Sequence, residues 1–531
     1  MKIVVADRIS ERGLALLGEP GWQVALPAAT ALAAELAGAE ALIVRSATRV
    51  TDELLAAAPR LRVVGRAGVG VDNIDVEAAT RRGVLVMNTP GGNAVSVAEH
   101  AIALLLALAR RIPQFDAATR AGRWEKSSAG IEVRGKTLGL VGLGRVGAEV
   151  ARRARALEMR VGAHDPYISE NFARDAGVDL VSLEELLRRA DFISLHAALV
   201  PATERLINAA TLAQMKPGAR LINTARGELV DEAALADALR SGRLAGAALD
   251  VFAVEPPGAS PLLGLPNVIA TPHVAGSTQE AQEEVGVLIA QQVRDYLTDG
   301  TLRNAVNLPA ISSEQYARLR PYLRLAECLG SVVAQAAPGR LGRVRITYAG
   351  EPAELGTQVL RNAVLCGVLN AVLEEKVNLV NAGAQAAARG LAVEERTRRR
   401  ESGFPNTLEV AVSTDGPAQN PAGGTLSVEG TVLHGAQPRI LSIDAIELEA
   451  PLEGTMLFLR NRDVPGVIGR IGTVLGAAGV NIATFALGRR EAVRGAEALA
   501  LIRLDGDVPD SIVDAIRTIE AITDACLLRL P

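Results

Sequence analysis

A single glycine-rich segment, GLGRVG at 142–147, constrains the fold of this 531-residue chain more than any other feature. The segment directly follows an apolar run at 137–141 and is itself followed by a helical pattern. In such a strand–turn–helix unit, Gly142 permits the tight turn, Gly144 lets a phosphate approach the backbone, and Gly147 lets helix and strand pack closely. Because the first N–H groups of a helix attract phosphate, the segment predicts a dinucleotide site in a parallel α/β sheet.

An acidic residue after the next predicted strand indicates which dinucleotide binds. Asp165 follows the apolar run at 160–164, and a carboxylate at this place accepts hydrogen bonds from ribose hydroxyls. It also repels the 2′-phosphate of NADP, and the residues at 167–169 offer no cation to offset that repulsion. We therefore expect NAD, with Arg145 and Val146 beside its pyrophosphate. The alternatives are that the glycines only shape a turn and that Arg145 is a solvated helix residue.

The length of the chain and the spacing of its predicted elements indicate several domains. A chain of 531 residues exceeds what one hydrophobic core usually supports. Its 49% of hydrophobic residues include only 3% of aromatic residues, which suits alanine-rich helices packed on aliphatic parallel strands. The first hundred residues alternate aliphatic and amphipathic stretches but lack a nucleotide fingerprint of their own. Since two long helical patterns flank the series that contains the fingerprint, we expect one doubly wound α/β domain to be inserted in another.

The patterns also predict where the domains begin and end. We expect one domain at 1–97 and 284–307, a Rossmann domain at 98–283, a third domain at 308–450 and a fourth at 454–531. The third contains a helical pattern at 358–373 and an alternating run at 425–433, which favour an α+β fold. The fourth follows the order strand, helix, strand, strand, helix, strand, which is the split βαβ order of ferredoxin-like folds.

Composition argues against several other classes of protein. The net charge of −4 and the pI near 5.9 give no electrostatic case for binding nucleic acid or an anionic membrane. The three cysteines are too few and too scattered for a disulfide framework or a zinc site, so we expect no metal and a cytoplasmic location. The N-terminus lacks a signal-peptide pattern, and the longest apolar run, 101–109, is too short to span a bilayer.

The five histidines can be sorted as candidates for a catalytic base. His100 lies on a long apolar helix, where a core role is more common, and His164 stands beside the residue expected to bind adenosine ribose. His434 lies in the C-terminal half. His196 and His273 remain, and both stand at the carboxyl ends of predicted strands, where doubly wound sheets bind their ligands.

Three polar side chains follow three predicted strands of the sheet that carries the fingerprint. Arg226, Glu255 and His273 each come just after such a strand. Removing a hydride from a secondary alcohol requires a base for the hydroxyl proton and a cation for the developing carbonyl. A carboxylate beside a histidine orients its ring. Each of these residues taken singly is more often structural, but together with the fingerprint they indicate a dehydrogenase.

The stretch from Val44 to Asn307 resembles the D-2-hydroxyacid dehydrogenase family. The matching segments are GRAGVGVDN at 65–73, the fingerprint, and the stretches 223–232, 247–256 and 271–282. The resemblance implies a Rossmann nucleotide domain inserted in a flavodoxin-like substrate domain. It also implies that Arg226 binds the substrate carboxylate, that Glu255 orients the acid/base His273, that Asp250 lies near the nicotinamide, and that Ala197 and Ala225 lie along the cofactor. The segment HAAL at 196–199 lacks the proline that the family often has there.

Two arginines at strand ends in the first domain indicate the substrate. Arg45, beside Ser46, and Arg66, close to Gly68, offer two cations that suit a phosphate. Surface or domain-bridging ion pairs are the alternative. These segments, with Asn93, resemble the family members that act on 3-phosphoglycerate.

In those family members the segments line the substrate pocket, and a basic residue reaches in from a partner subunit. Lys126 is the candidate for that residue in this chain.

The C-terminal half, from about residue 310, resembles the long form of those enzymes, which carries an intervening domain and a terminal ACT domain. That resemblance implies an L-serine site at subunit interfaces. Asp463 is the candidate for binding the ammonium group, Asn481 for bridging from a second subunit, and Asn461 stands where serine-inhibited relatives commonly have Tyr or His. An ACT domain that serves assembly only is the alternative.

We therefore predict an NAD-dependent enzyme that oxidises D-3-phosphoglycerate to 3-phosphohydroxypyruvate, the first committed step of L-serine biosynthesis. Self-association as a dimer or a homotetramer is expected from the resemblance. Two alternatives remain open: a glyoxylate or hydroxypyruvate reductase of the same family, and a non-catalytic interaction protein that senses NAD.

Overall fold

The structure is a computed structural model that describes residues 1–126, 129–309, 311, 313–337, 339–374, 376–399, 403–415, 424–506 and 508–531. Within these ranges the chain forms sheets of five, seven, six and four strands. The first two sheets are parallel throughout, the third is mainly antiparallel, and the fourth is antiparallel. The predicted fold class, two doubly wound domains followed by an α+β domain and a ferredoxin-like domain, is confirmed.

The first sheet has the strand order β2-β1-β3-β4-β5, which is the flavodoxin-like order. Its elements are β1 Lys2–Val5, α1 Glu11–Leu16, β2 Gln23–Ala25, α2 Leu32–Leu36, β3 Ala41–Val44, α3 Asp52–Ala56, β4 Val63–Arg66, α4 Val76–Arg81 and β5 Leu85–Met87. All four residues of β3 are buried, because helices cover both faces of a doubly wound sheet. This requirement explains the uninterrupted aliphatic runs in the sequence.

The second sheet has the order β12-β11-β10-β9-β6-β7-β8. The elements of this domain are α5 Ala94–Arg110, α6 Ile112–Arg120, β6 Thr137–Val141, α7 Arg145–Ala156, β7 Arg160–His164, α8 Glu170–Asp175, β8 Asp179–Leu180, α9 Leu183–Arg189, β9 Phe192–Leu195, α10 Ala209–Gln214, β10 Ala219–Asn223, α11 Glu232–Arg240, β11 Leu244–Leu249 and β12 Val268–Ala270. The chain reverses direction across the sheet between β6 and β9, and ligands bind at such a switch point.

The long helix α12, Gln279–Asp299, returns the chain to the first domain. Its Val285, Ile289 and Val293 belong to the same buried cluster as Ile3 and Ile43 of the first sheet. The second domain is therefore inserted between β5 and α12, as the two flanking helical patterns predict.

The third and fourth sheets form the C-terminal half. The third domain contains α13 Ser313–Ala336, β13 Arg340–Ala349, α14 Glu351–Leu355, α15 Thr357–Asn370, α16 Ala382–Ala388, β14 Ala392–Arg398, β15 Thr407–Asp415, β16 Thr425–Leu433, β17 Gln437–Ile443 and β18 Ile446–Pro451. The fourth contains β19 Thr455–Arg462, α17 Val467–Ala477, β20 Ile482–Arg489, β21 Glu497–Leu504, α18 Ser511–Arg517 and β22 Ile522–Arg529.

The C-terminal half is attached to the rest of the molecule by packed contacts as well as by the chain. Met456, Phe458 and Leu501 of the fourth sheet lie in the hydrophobic cluster of the third domain. Val380 of the third domain lies in the cluster of the first. In the ranges that the structure describes, no helix is both long and apolar enough to cross a membrane.

Candidate active site

A cleft of about 730 Å³ lies between the first two domains, beside the carboxyl ends of their strands. Of the residues predicted for the site, those that line it are Arg45, Ser46, Arg66, Gly68, Asn93, Val146, Ala197, Ala225, Arg226, Asp250, Glu255 and His273. Segments that are far apart in the sequence therefore meet at one place.

His273 and Glu255 form a hydrogen-bonded pair at the mouth of the cleft. Nδ1 of His273 lies 2.7 Å from Oε2 of Glu255, and Oε1 of Glu255 accepts a hydrogen bond from the amide of Phe252 at 3.1 Å. Both side chains are partly open to solvent, with exposed fractions of 51% and 37%. The carboxylate fixes the ring through Nδ1, which leaves Nε2 free to exchange a proton with a ligand.

The backbone at His273 is held in an unusual conformation. Its φ is 53°, in the left-handed region that side chains other than glycine seldom adopt. The amide of His273 donates to the carbonyl of Asp250 at 2.8 Å, which ties the loop after β12 to the end of β11. Such local strain is retained where surrounding contacts enforce it, and it recurs at functional sites.

Asp250 is the buried anchor of this loop. Its Oδ1 accepts hydrogen bonds from the hydroxyl of Thr271 at 2.5 Å and the amide of Val274 at 3.0 Å, and its Oδ2 accepts from the amide of Ala275 at 2.9 Å. His100 approaches Oδ1 to 3.5 Å. Burial raises the pKa of Asp250, but the hydrogen bonds from His100, Thr271 and the two amides outweigh it and keep the pKa below its usual value. Asp250 is thus a carboxylate, and His100 supports it from the core helix.

Arg226 is positioned by a tight turn that follows β10. Its carbonyl accepts a hydrogen bond from Nδ2 of Asn223 at 2.8 Å, and its Nη1 donates to the carbonyl of Ala225 at 2.7 Å. The next residue, Gly227, packs directly on the backbone of Phe252: a Cβ there would lie 1.9 Å from the Phe252 carbonyl carbon. The guanidinium therefore points into the cleft from a backbone that cannot easily move.

Of the two arginines of the first domain, Arg45 lies on a loop after β3 that is braced by Asp7 and Asn73, and Arg66 ends β4. Oδ2 of Asp7 accepts hydrogen bonds from the amides of Arg45 and Thr48 at 2.6 and 3.2 Å, and Nδ2 of Asn73 donates to the carbonyls of the same two residues. The sequence pattern did not indicate Asp7, although an acidic residue two positions after the end of β1 is a usable signal.

Arg66 is partly buried beside Gly68. Its Nη1 would lie 1.3 Å from a Cβ on Gly68, so that the absence of a side chain at position 68 makes room for the guanidinium. Its Nε is buried and, within the described part of the chain, makes no hydrogen bond. Burial and the neighbouring charge of Arg226 lower the pKa of Arg66.

His196, the other histidine at a strand end, also lines the cleft but has a different hydrogen-bond partner. Its Nε2 is 2.9 Å from the hydroxyl of Ser194. Burial lowers the pKa of His196 to about 4. It is therefore neutral at physiological pH and is held by the sheet.

The glycine-rich turn fits a dinucleotide. Gly142 has φ of +96°, and a Cβ on it would lie 2.7 Å from the carbonyl oxygen of His196; a Cβ on Gly147 would lie 2.3 Å from the oxygen of Gly142. Among the residues described, no side chain caps the first turn of α7, which starts after Gly144, so its N–H groups are available to a phosphate. Oδ2 of Asp165 accepts a hydrogen bond from the amide of Leu143 at 2.9 Å, which holds the carboxylate beside the turn.

Other predicted site residues lie away from this cleft. Lys126 is exposed and is not among the residues that line it. In the fourth domain, Asn461 and Asp463 share a pocket of about 370 Å³, where Arg489 pairs with Asp463 at 3.2 Å. Asn481 lies outside that pocket and donates a hydrogen bond to Asp505.

Comparison with known proteins identifies three family matches along the chain. Residues 102–275 match the NAD binding domain of D-isomer specific 2-hydroxyacid dehydrogenases, residues 318–444 match the D-3-phosphoglycerate dehydrogenase intervening domain, and residues 455–521 match the ACT domain. Together the matches extend over most of the chain.

Relatives resemble either the whole chain or its first half. The D-3-phosphoglycerate dehydrogenases of Methanocaldococcus jannaschii and Bacillus subtilis are 41% and 40% identical to it, each over 100% of both chains. The crystal structure of a glyoxylate reductase from Paecilomyes thermophila is 32% identical and has a TM-score of 0.53, and the match covers 58% of this chain and 98% of that one.

Proposed function

The chain belongs to the D-3-phosphoglycerate dehydrogenase family, and on that premise we propose that it oxidises D-3-phosphoglycerate at C2 to 3-phosphohydroxypyruvate. This reaction begins L-serine biosynthesis. The observation that carries the proposal is the single cleft in which the His273–Glu255 pair and Arg226 face two arginines from the opposite domain.

Each of these side chains has a defined task in the reaction. Arg226 binds the substrate carboxylate and stabilises the negative charge that develops on the C2 oxygen. Nε2 of His273 takes the C2 hydroxyl proton as the C2–H bond breaks, and Glu255 holds the ring through Nδ1. NAD, when bound, supplies the hydride acceptor.

The remaining contacts position the cofactor and the phosphate. The turn with Gly142, Gly144 and Gly147 holds the pyrophosphate, with Arg145 and Val146 beside it. Asp165 would bind the adenosine ribose, Ala197 and Ala225 would lie along the cofactor, and Asp250 would lie near the nicotinamide. Arg45 and Arg66, with Ser46, Gly68 and Asn93, hold the substrate phosphate, and Lys126 of a second copy of the chain completes that pocket.

The test follows NADH absorbance with purified protein, NAD⁺ and D-3-phosphoglycerate at mildly alkaline pH, with the ketone product trapped. We expect rapid NADH formation, and loss of turnover by a factor of about 10² or more in His273→Ala. A protein that only senses NAD would form no NADH and would not depend on His273. Rapid NADH consumption with glyoxylate or hydroxypyruvate, and none formed from phosphoglycerate, would favour the reductase.

A second experiment tests whether Arg45 and Arg66 bind the phosphate of the substrate. Arg45→Ala and Arg66→Ala should each raise KM for D-3-phosphoglycerate about tenfold or more, because a charge-assisted contact is lost. KM for D-glycerate, which lacks the phosphate, should change little. Arg60→Ala, which removes an exposed surface cation paired with Glu40 in the same domain, is the matched control.

For the fourth domain we propose binding of L-serine between two copies of the chain. Asp463 of one copy binds the ammonium group next to Asn461, and Asn481 of the other closes the site. The pocket shared by Asn461 and Asp463 supports this proposal. Inhibition of the wild type by L-serine, lost in Asp463→Ala, would be the expected result; a serine-insensitive wild type would leave the domain with an assembly role.

A further inference from the structure

An ion pair bridges the two domains across the cleft. Oδ2 of Asp72, on the loop between β4 and α4, lies 3.1 Å from Nη2 of Arg226, on the loop after β10. Asp72 is 69% exposed, whereas Arg226 is 29% exposed. The pair therefore lies at the entrance of the cleft, and its cation is the residue proposed to hold the substrate carboxylate.

The backbone near Asp72 is shaped so that this pair can form. A Cβ on Gly70 would lie 2.2 Å from Nη2 of Arg226 and 2.7 Å from Oδ2 of Asp72. Any side chain at position 70 would push the two charged groups apart or displace the loop. The close approach of Arg226 to the first domain thus depends on a residue without a side chain.

The charges around the cleft show what Asp72 balances. Three arginines line it, Arg45, Arg66 and Arg226, and they lie close enough that Arg45 and Arg226 each help to lower the pKa of Arg66, while Asp72 raises it. Of the three carboxylates in the lining, Asp250 is bound by the loop after β12 and Glu255 by His273. Asp72 is the carboxylate that faces the arginines.

We infer that Asp72 is a placeholder for the substrate: it pairs with Arg226 until the carboxylate of the incoming substrate displaces it. This inference rests on the proposed function of Arg226. D-3-phosphoglycerate brings one carboxylate and a phosphate of about −1.5 to −2 at neutral pH, which more than replaces the charge of Asp72. Before the substrate binds, Asp72 holds the guanidinium of Arg226 in place. Once the substrate is bound, the charge of Asp72 repels it and so weakens the retention of bound anions.

The inference predicts that Asp72→Asn binds anions more tightly. Asparagine keeps the size and hydrogen-bonding capacity of the side chain but removes its charge. We expect KM for D-3-phosphoglycerate and the dissociation constant for inorganic phosphate, measured by calorimetric titration, to fall about threefold to tenfold at low salt. The effect should shrink at high salt because Asp72 is exposed.

Asp52→Asn is the matched control. Asp52 forms an exposed ion pair with Arg82 at 2.8 Å in the same domain and does not line the cleft, so its removal changes net charge equally without touching Arg226. The control should leave both constants unchanged.

Three results would overturn the inference. If KM and the dissociation constant for phosphate are unchanged in Asp72→Asn, the ion pair has no effect on anion binding. A rise in KM together with a fall in kcat would mean that the substrate complex needs Asp72. An equal effect of Asp52→Asn would mean that only the net charge of the protein matters. If the wild type fails to oxidise D-3-phosphoglycerate, the proposed function fails, and the phosphate titration still decides whether Asp72 competes with anions.

Discussion

At the scale of single residues, the structure distinguishes two histidines, His196 and His273, that both stand at the carboxyl ends of predicted strands. His273 carries a carboxylate partner on an open loop, whereas His196 is fixed to the sheet by Ser194. The sequence pattern placed both at strand ends, and both line the cleft, but the pattern could not show which ring pairs with a carboxylate. That information depends on backbone conformation, such as the positive φ of His273, and the order of residues does not encode it locally.

The variant Glu255→Gln tests the orienting role. A glutamine side chain would keep the size of the glutamate and its hydrogen bond from Phe252, but would lose the charge beside His273. We expect kcat/KM to fall about 10²-fold, while NADH affinity, measured by fluorescence titration, stays the same because Glu255 lies apart from the glycine-rich turn. Full activity in this variant would show that His273 needs no carboxylate.

His196 should couple folding to pH below neutrality. Its pKa is near 4 in the folded chain and near its ordinary value of 6.5 in the unfolded chain, so the unfolded state binds the extra proton first as the pH falls. Stability is therefore complete above about pH 6.5 and declines as the pH drops toward 4, by at most about 1.4 kcal/mol per pH unit from this group.

Calorimetric melting of wild type and His196→Gln between pH 7 and pH 5 measures this effect. The variant should lose less stability on acidification than the wild type, whatever its stability at pH 7. Parallel curves for the two proteins would contradict the lowered pKa of His196.

At the scale of elements, the sequence predicted the strands that carry an aliphatic run, the edge strands β5 and β12 included, and missed the edge strands β2 and β8. The aliphatic runs of β1, β3, β4 and β5 were identified because both of their faces lie against helices. The strands β2 and β8 have no fully buried side chain, so they lack the aliphatic run that marks the equally short β5, whose three residues are all buried. The domain boundaries themselves stay predictions.

In the C-terminal half, the sequence pattern missed longer elements as well. The 24-residue helix α13 was not indicated, and β14 consists largely of exposed charged residues. The parallel pairing of β14 with β13 holds it in the sheet, and pairing between distant segments cannot be predicted from the composition of one strand. The helical pattern at 358–373 corresponds to α15, and the alternating run at 425–433 to β16.

The glycine-rich turn permits a paired test at this scale. Gly144 has open space around a hypothetical Cβ, whereas a Cβ on Gly147 would meet the Gly142 oxygen at 2.3 Å. Gly144→Ala should therefore keep the melting temperature of the wild type and lose NAD affinity about tenfold or more, because the methyl group occupies the approach of the pyrophosphate. Gly147→Ala should lower both the melting temperature and the affinity for NAD.

Melting curves and NADH fluorescence titrations distinguish the two effects. Equal loss of stability in both variants would mean that position 144 is packed, and unchanged NADH affinity in Gly144→Ala would remove the turn from the cofactor site. Gly264→Ala, which also has no atom within 4 Å of the added Cβ, is the control.

At the scale of the whole molecule, one face of the fourth sheet belongs to the hydrophobic cluster of the third domain, while its other face packs in a cluster of its own. Phe458 is 1% exposed and lies in the same cluster as Leu325 and Val428 of the third domain. Phe458→Ala should destabilise the C-terminal half by about 3–5 kcal/mol, and both domains should melt in one lowered transition in scanning calorimetry. Val493→Ala, at an exposed position, should change nothing. Separate transitions for the two domains would contradict a shared core.

The insertion of one domain in another sets the order in which the molecule can be completed on the ribosome. Ile3 and Ile43 leave the ribosome early, yet Val285, Ile289 and Val293, which close their core, emerge only after the entire inserted domain has been synthesised. Domains generally fold as units during translation. The inserted domain can thus fold completely while the first domain still lacks α12. The nascent chain therefore forms its glycine-rich turn before the cleft between the two domains exists.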